Sequence, residues 1–427
     1  MTAFRVALLL MLAGAAARAD EGDWPQFRGP TGLGTTPEKN LPLTWDAGKG
    51  ENIAWKAPLV GEGHASPIVW GNRLFLCTVR WPAGKPDPKI MPEHHVLCYR
   101  TADGSLAWDT IMDPGPWLRS DFRSGPGGGY APCTPATDGK RVYVVFASSV
   151  MAALDLEGKL AWRQEIKPHT FDVTIGTSPV LYGDTVILLC AMAKAADSRL
   201  VAFAKSDGKL VWETRLPKTG FGHSTPILID VKGKKQLIVI ASGMGAKDEA
   251  LQSFDPADGR RIWWCKSAGD ASSPAYGAGI VYTDSGRGGS GTAVDPGGEG
   301  DVSASHVKWT TPGSMPEAIG SPIIVGEHVF RLQAGGVVRV WRVSDGQETD
   351  KQRLDGLGSS WASPIADGDG RLYFASGGKS YVVQSGPQIK VLAVNDLRDP
   401  NHASPAVSQG RLYIVGLKHL YCIAEKK

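Results

Sequence analysis

Short apolar runs alternate with turn residues along the chain, and the repeating unit is clearest over residues 177–212. Ser178-Pro179 opens the unit, and Pro suits the first residue of a strand because it has no N–H to donate. Residues 186–189 are continuously apolar, as in a short buried strand. Asp207-Gly208 is a two-residue hairpin signal, and Trp212 follows it on a fourth run. The pattern predicts a four-stranded antiparallel meander.

The Ser/Thr-Pro step marks the same unit elsewhere in the chain. From its second occurrence onward the step recurs every 41 to 48 residues, and the longer first interval carries an insertion. A period of this length with four strands per repeat is typical of a β-propeller with one repeat per blade. The sequence therefore predicts an all-β, eight-bladed β-propeller. The eight steps begin at Ser66, Thr134, Ser178, Thr225, Ser273, Ser321, Ser363 and Ser404.

The two ends of the repeat region complement each other. Residues 52–56 resemble the fourth strand of a blade that lacks the first three, and residues 404–427 supply three strands and stop. We expect the N-terminal strand to complete the last blade, which removes two open sheet edges. Trp55 then stands where other blades carry a Trp. The predicted divisions are residues 1–19, a signal peptide; 20–51, an irregular arm lying against the propeller; and 52–427, the propeller.

Composition and charge narrow the cellular context. Residues 1–19 combine Arg5, an apolar run too short to span a bilayer and a small-x-small site that predicts cleavage after Ala19. Without Arg5 and Arg18 the formal charge falls from +3 to +1, which disfavours nucleic-acid binding. We expect a periplasmic or secreted monomer with no transmembrane segment. The 53 glycines and 29 prolines suit many tight turns.

The six cysteines allow two interpretations. An even number in an exported chain permits disulfides, and Cys77–Cys98, on neighbouring strands of the first blade, is the plausible bridge. The favoured interpretation is that each cysteine is a small buried strand residue. No Cys-x-x-Cys occurs, so a zinc or thiol-redox motif is unsupported.

These motifs resemble a known family. The segment WPQFRGP at 24–30, the repeated Ser/Thr-Pro steps and the Asp-Gly-x-x-x-Trp hairpins are similar to the pyrroloquinoline-quinone-like (PQQ-like) β-propeller repeats of exported bacterial BamB-like and quinoprotein-like members. The resemblance implies an eight-bladed propeller over residues 23–425. The quinoprotein dehydrogenases typically carry adjacent cysteines at the cofactor, and no Cys-Cys occurs in this sequence.

Four side chains precede the innermost strands of different blades. His64, His223 and His402 come just before a Ser/Thr-Pro step, and Trp361 has a similar position in blade 7. Propeller geometry places such residues near the mouth of the central funnel, where imidazoles and an indole can bind a ligand or a metal. The alternative is that the rings only pack or face solvent, because blades 1, 4 and 8 are not all adjacent.

Long insertions favour one face of the ring for partner binding. Residues 78–95 and 109–133 both follow even-numbered strands of a blade and therefore emerge on the same face. The second insertion contains Arg119, Asp121, Arg123 and Tyr130, residue types that favour a partner or glycan contact. The alternative is a loop folded onto its own rim, with weak Arg–Asp pairs.

The functional expectation is an exported binding or scaffold module for protein or carbohydrate partners, with no catalytic residues and no metal site assigned. The less favoured hypothesis is that the chain is an enzyme. The family resemblance then implies a periplasmic quinoprotein alcohol or sugar dehydrogenase with PQQ and calcium as cofactors. No confident cofactor is assigned from the sequence.

Overall fold

The chain folds into eight β-sheets arranged as blades around one axis, as predicted. The computed structural model describes residues 22–87, 89–115, 129–167, 176–192, 194–220, 222–241, 249–269, 271–284, 286, 290–312, 319–358 and 361–425. Within these ranges no α-helix occurs, and the only helical turns are two short 3₁₀ segments, Ala195–Asp197 and Ala334–Gly336. Each blade is an antiparallel meander of four strands.

The first four blades follow the chain in order. Blade 1 contains β2 (Ile68–Trp70), β3 (Arg73–Arg80), β4 (Glu93–Arg100) and β5 (Leu106–Met112). Blade 2 contains β6 (Ala136–Thr137), β7 (Arg141–Phe146), β8 (Val150–Asp155) and β9 (Leu160–Glu165). Blade 3 contains β10 (Val180–Tyr182), β11 (Thr185–Cys190), β12 (Arg199–Ala204) and β13 (Leu210–Arg215). Blade 4 contains β14 (Ile227–Val231), β15 (Lys234–Ile240), β16 (Leu251–Phe254) and β17 (Arg261–Cys265).

The other four blades include the closure of the ring. Blade 5 contains β18 (Ala275–Gly277), β19 (Ile280–Thr283), β20 (Thr292–Val294) and β22 (Val307–Thr310), and its insertion β21 (Gly300–Asp301) adds a fifth, parallel strand to β17. Blade 6 contains β23 (Ile323–Val325), β24 (His328–Gln333), β25 (Val337–Arg342) and β26 (Glu348–Arg353). Blade 7 contains β27 (Ile365–Ala366), β28 (Arg371–Ser376), β29 (Lys379–Gln384) and β30 (Lys390–Asp396). Blade 8 contains β31 (Ala406–Ser408), β32 (Arg411–Val415), β33 (His419–Ile423) and β1 (Ile53–Pro58).

The N-terminal strand completes the last blade. β1 pairs antiparallel with β33, and Trp55 lies opposite Cys422. The predicted closure is therefore confirmed, and both strands gain the ladder hydrogen bonds that an open edge would lack.

The Ser/Thr-Pro steps form a closed ring of hydrogen bonds at the centre of the propeller. In each blade the backbone N–H of the Ser or Thr donates to the side-chain hydroxyl of its counterpart in the next blade, as from Ser66 to Thr134 at 3.1 Å. The bond from Ser404 to Ser66, at 2.9 Å, closes the circle. The other six bonds measure 2.9–3.1 Å, and all eight residues are buried. The repeated hydroxyl thus satisfies a buried backbone donor at every blade junction.

Outer-strand tryptophans connect blades 8, 1, 2 and 5 to the blade that follows each of them. Trp108 donates from Nε1 to the Leu156 carbonyl at 2.9 Å, and its ring covers Gly158, whose φ of +87° suits the hairpin. A Cβ on Gly158 would lie 2.7 Å from Trp108, so only Gly fits beneath the indole. The same bond to a carbonyl of the following blade is made by Trp55, Trp162 and Trp309.

The N-terminal arm crosses the mouth of the central channel on one face. We call this the hairpin face, because the turns after the first and third strands of each blade lie there; the opposite face is the loop face. Trp24 pairs with Val69 of blade 1, and the Pro25 carbonyl accepts from Thr137 of blade 2. Farther along, the arm pairs with Ala366 of blade 7. Glu38 then accepts from the Gln409 and Gly410 amides of blade 8.

The cysteines do not form the bridge that the sequence permitted. All six are buried free thiols. Cys77 lies opposite Val96 while Cys98 lies opposite Phe75, so the two are offset diagonally by two residues in the β3–β4 ladder. Diagonal neighbours have Cα atoms about 7–8 Å apart, beyond the usual reach of a disulfide. The Cys77–Cys98 prediction is corrected. Five of the six cysteines are small buried strand residues, and Cys133 is buried just before β6.

Candidate functional site

Three of the four predicted funnel residues meet on the loop face. The ring centroids of His64 and His402 lie 5.0 Å apart with the rings edge to face, and Trp361 lies 6.1 Å from His402. They come from blades 1, 8 and 7, which are neighbours because β1 closes the ring. Burial lowers the pKa of His402, so its neutral form is favoured at neutral pH. The cluster is thus an aromatic surface with Trp361 as its most accessible member, 37% exposed.

His223 lies on the other side of the ring. It precedes blade 4 and packs against Gly176 of blade 3, where a Cβ would come within 2.7 Å of the His223 Cβ. Blades 3 and 4 are across the axis from blades 7, 8 and 1. The structure therefore places His223 apart from the other three funnel residues.

The predicted contact loop divides into a buried anchor and a part that lies outside the described residues. Tyr130 is fully buried, and its ring lies 5.9 Å from Trp81 and 5.7 Å from His94. Its position is that of a core residue that holds the base of the loop. Arg119, Asp121 and Arg123 fall within 116–128, outside the described residues, so their role stays a prediction.

His94 is a structural histidine that packs against Tyr130. Its Nδ1–H donates to the Pro92 carbonyl at 2.9 Å, and Nε2 accepts from the Ser148 hydroxyl at 2.7 Å. Burial lowers the pKa of His94 to about 4. Both ring nitrogens are engaged in hydrogen bonds to neighbouring residues, so the burial of His94 is explained without a metal-binding role.

An ion pair at the junction of blades 5 and 6 was not predicted from the sequence. Arg331 on β24 donates from Nε and Nη2 to both carboxylate oxygens of Asp284, at 2.8 and 2.7 Å. Arg331 also donates to the Gly320 carbonyl, and the Asp284 carboxylate accepts from Ser272 and from the Gly286 amide. Both side chains are at least 96% buried. The signal that could have found them is their charge at positions that are apolar in the other repeats, apart from Thr283.

A second buried cation lies at the same junction on the hairpin side. Arg28, the arginine of WPQFRGP, is 1% exposed and donates to the carbonyls of Pro274, Pro322 and Leu33 at 2.7–3.0 Å. No carboxylate pairs with it among the described residues. Burial, and secondarily the like charge of Arg331, lower the pKa of Arg28 to about 9. The guanidinium nevertheless stays predominantly protonated at neutral pH.

The described residues show no calcium site. Calcium takes six to eight oxygen ligands, which carboxylates, backbone and amide carbonyls and waters supply. In the part of the chain with described positions, no group of three His, Cys, Asp or Glu side chains converges. The buried carboxylate of Asp284 is already held by Arg331. We therefore derive no redox step for this chain.

Comparison with known sequences identifies relatives over most of the chain. A family model described as outer membrane protein assembly factor BamB matches residues 91–225 and 196–426. No match was found among curated proteins. Among the described residues, no helix has the length and apolar character needed to cross a membrane.

Solved structures share the fold at low sequence identity. BamB from Moraxella catarrhalis is 15% identical, with a TM-score of 0.57 over 87% of this chain and 94% of that chain. A europium-containing methanol dehydrogenase is 11% identical, with a TM-score of 0.64 over 94% and 91%. The quinohemoprotein alcohol dehydrogenase from Comamonas testosteroni is 13% identical, with a TM-score of 0.64 over 97% and 82%. At these identities the likeness shows the fold alone.

Proposed function

The chain belongs to the family of the outer membrane protein assembly factor BamB, and on this premise we propose that it is an exported scaffold that binds a protein partner on its loop face. The observation that carries the proposal is the asymmetry of the two faces. The arm contacts blades 1, 2, 7 and 8 across the hairpin face, and Arg28 reaches blades 5 and 6. The loop face carries the long insertions and the aromatic cluster.

Exposed apolar side chains indicate where on the loop face the partner binds. Ile90 in the blade 1 insertion is 41% exposed, Leu417 in the blade 8 loop is 47% exposed, and Trp361 precedes blade 7. These blades are adjacent, and the His64–His402 pair lies in the same sector. Large apolar and aromatic side chains are typical of the core of a protein interface. Aliphatic residues such as Ile90 and Leu417 favour a protein surface over a carbohydrate.

Site-specific photocrosslinking tests this proposal in an exporting host. A benzophenone amino acid replaces Trp361, Leu417 or Ile90, one at a time. The matched controls are Leu210, which is 54% exposed on the outer strand of blade 3, and Lys209 in the adjacent hairpin. We expect a discrete protein adduct from the loop-face positions and none from the controls.

Two outcomes of that experiment would contradict the proposal. One is the same adduct from Leu210 or Lys209, which would place the contact on the rim or the hairpin face. The other is no protein adduct at any of the three loop-face positions. Fractionation of the same cells tests export, because the proposal requires the mature chain outside the cytoplasm with residues 1–19 removed.

A further inference from the structure

The eight repeats serve as an internal comparison for the ion pair at the junction of blades 5 and 6. The register of the first two strands aligns the blades, since Ile68 pairs with Phe75 in blade 1 and Ile323 with Phe330 in blade 6. The position of Arg331 is held elsewhere by Leu76, Val144, Leu188, Val239, Thr283, Phe374 and Ile414. The position of Asp284 is held elsewhere by Cys77, Val145, Leu189, Ile240, Leu332, Ala375 and Val415. All of these residues are buried.

Stability does not account for the charged pair. Removing two charges from water costs several kcal/mol, and replacing a buried ion pair by apolar residues is often neutral or stabilising. The junction of blades 2 and 3 shows the apolar solution in this chain, because Val145 and Leu188 occupy the two positions and lie in one buried cluster. The pair at blades 5 and 6 therefore calls for a role other than packing.

Two further buried donors at this junction have no hydrogen-bond partner among the described residues. Gln333 lies two residues after Arg331 on β24, so both side chains are on the same side of the strand. Gln333 is 1% exposed, and its Nε2 has no hydrogen-bond partner among the described residues. The Nε of Arg28 is likewise buried and has none within the described ranges. Buried donors of this kind normally have a partner, which can be a water, an ion or a ligand.

The net charge of the buried groups at this junction indicates that the missing partner is an anion. Arg331 and Asp284 cancel, whereas Arg28 adds a positive charge that is surrounded by neutral carbonyls. Arg28 bonds to the Pro322 carbonyl and Arg331 to the Gly320 carbonyl, and these two carbonyls are about 7 Å apart along the same segment. An isolated buried charge is costly unless an opposite charge or further hydrogen bonds compensate it.

We propose that the junction of blades 5 and 6 is a binding site for a small anion, a carboxylate or phosphate group. Gln333 donates to the anion through Nε2, and Arg28 supplies the positive charge that Asp284 does not cancel. Asp284 holds the Arg331 guanidinium in a fixed orientation through two hydrogen bonds. The site is independent of the protein partner proposed for blades 7, 8 and 1, because it lies on another sector of the ring.

Titration calorimetry of the full mature chain tests the site, with sodium phosphate and sodium acetate as probes at constant ionic strength. We expect saturable binding of one anion per chain. Gln333→Leu should weaken that binding at least tenfold, and so should Arg28→Gln. Arg260→Gln is the matched control, because Arg260 is an exposed hairpin arginine, and its affinity should stay within twofold of wild type.

A double variant separates binding from folding. Asp284→Val combined with Arg331→Leu reproduces the Val145–Leu188 pair at the junction of blades 2 and 3, so it should retain wild-type thermal stability while the binding is lost. Preferential binding of acetate indicates a carboxylate ligand, and preferential binding of phosphate a phosphate ligand. The proposal is overturned if neither anion gives a saturable signal. It is also overturned if binding persists in both Gln333→Leu and the double variant, even where Arg28→Gln fails to fold.

Discussion

Removal of one hydroxyl from the central ring should destabilise the whole propeller. In Ser178→Ala, the backbone N–H of Thr134 loses its acceptor, the Ser178 hydroxyl at 2.9 Å. Thr134 is 2% and Ser178 3% exposed, so water does not replace the lost bond without a structural change. A buried donor left without an acceptor costs about 1–3 kcal/mol. We therefore expect the free energy of unfolding to fall by that amount.

Urea unfolding followed by tryptophan fluorescence measures the change. The midpoint should fall by the free-energy loss divided by the slope m, with m itself unchanged. Ser178→Thr keeps the hydroxyl, and Thr already occupies this position in blades 2 and 4, so this variant should retain most of the stability. Ser206→Ala, at an exposed turn residue, should stay within about 0.5 kcal/mol of wild type.

A double substitution tests whether the ring bonds act locally. Blades 3 and 7 are opposite each other, so Ser178→Ala and Ser363→Ala should add within about 0.5 kcal/mol. If Ser178→Ala is as harmless as Ser206→Ala, the hydroxyl ring contributes nothing to stability. In that case the repeated Ser/Thr would need another explanation.

Three further predictions concern the outer-strand tryptophans, His94 and the quinone cofactor. Trp162→Phe should lower the free energy of unfolding by about 1 kcal/mol in urea unfolding followed by circular dichroism, because the indole donates to the Lys205 carbonyl at 2.9 Å. Trp212→Phe should cost less, since its buried Nε1–H has no partner within the described residues; equal losses would contradict this reasoning. Because the pKa of His94 is lowered to about 4, its contribution to stability is complete above pH 6.5 and is lost as pH falls toward 4. His94→Gln should flatten that part of the urea-midpoint profile, and an unchanged slope would refute the assignment. Finally, PQQ with calcium should give neither a visible spectrum nor dye-linked alcohol oxidation, and activity in that assay would restore the dehydrogenase alternative.

The repeated features were predictable because the same local structure, an innermost strand that begins at a Ser/Thr-Pro step, recurs in every blade. A Ser or Thr before Pro marks the innermost strand, and the structure adds that its hydroxyl accepts the N–H of the preceding blade. The pairing of Trp55 opposite Cys422 followed from counting strands at the two ends. The proximity of His64 and His402 also depends on this closure, because blades 8 and 1 become neighbours through β1.

The features that occur once were not predictable from the pattern. The Arg28 guanidinium reaches carbonyls 246 and 294 residues away, and no periodicity encodes the path of an irregular arm. Asp284 and Arg331 are 47 residues apart, and the alternation of apolar positions describes strands without indicating which charges face each other across a blade junction. The three-dimensional register shows that the two charges face each other and that both occupy positions that are apolar in the other repeats, apart from Thr283.

The two kinds of feature have different consequences for function. The hydroxyl ring and the outer tryptophans are distributed around the axis, so they stabilise the propeller without distinguishing one sector from another. The departures from the repeat do distinguish sectors: Trp361 and the His64–His402 pair lie at blades 7, 8 and 1, and the charged pair lies at blades 5 and 6. A binding function requires specific groups at a specific place, and in a repeat protein these are the positions where the repeat is broken. Substitutions at these positions should therefore change binding more than folding, whereas substitutions in the ring should do the reverse.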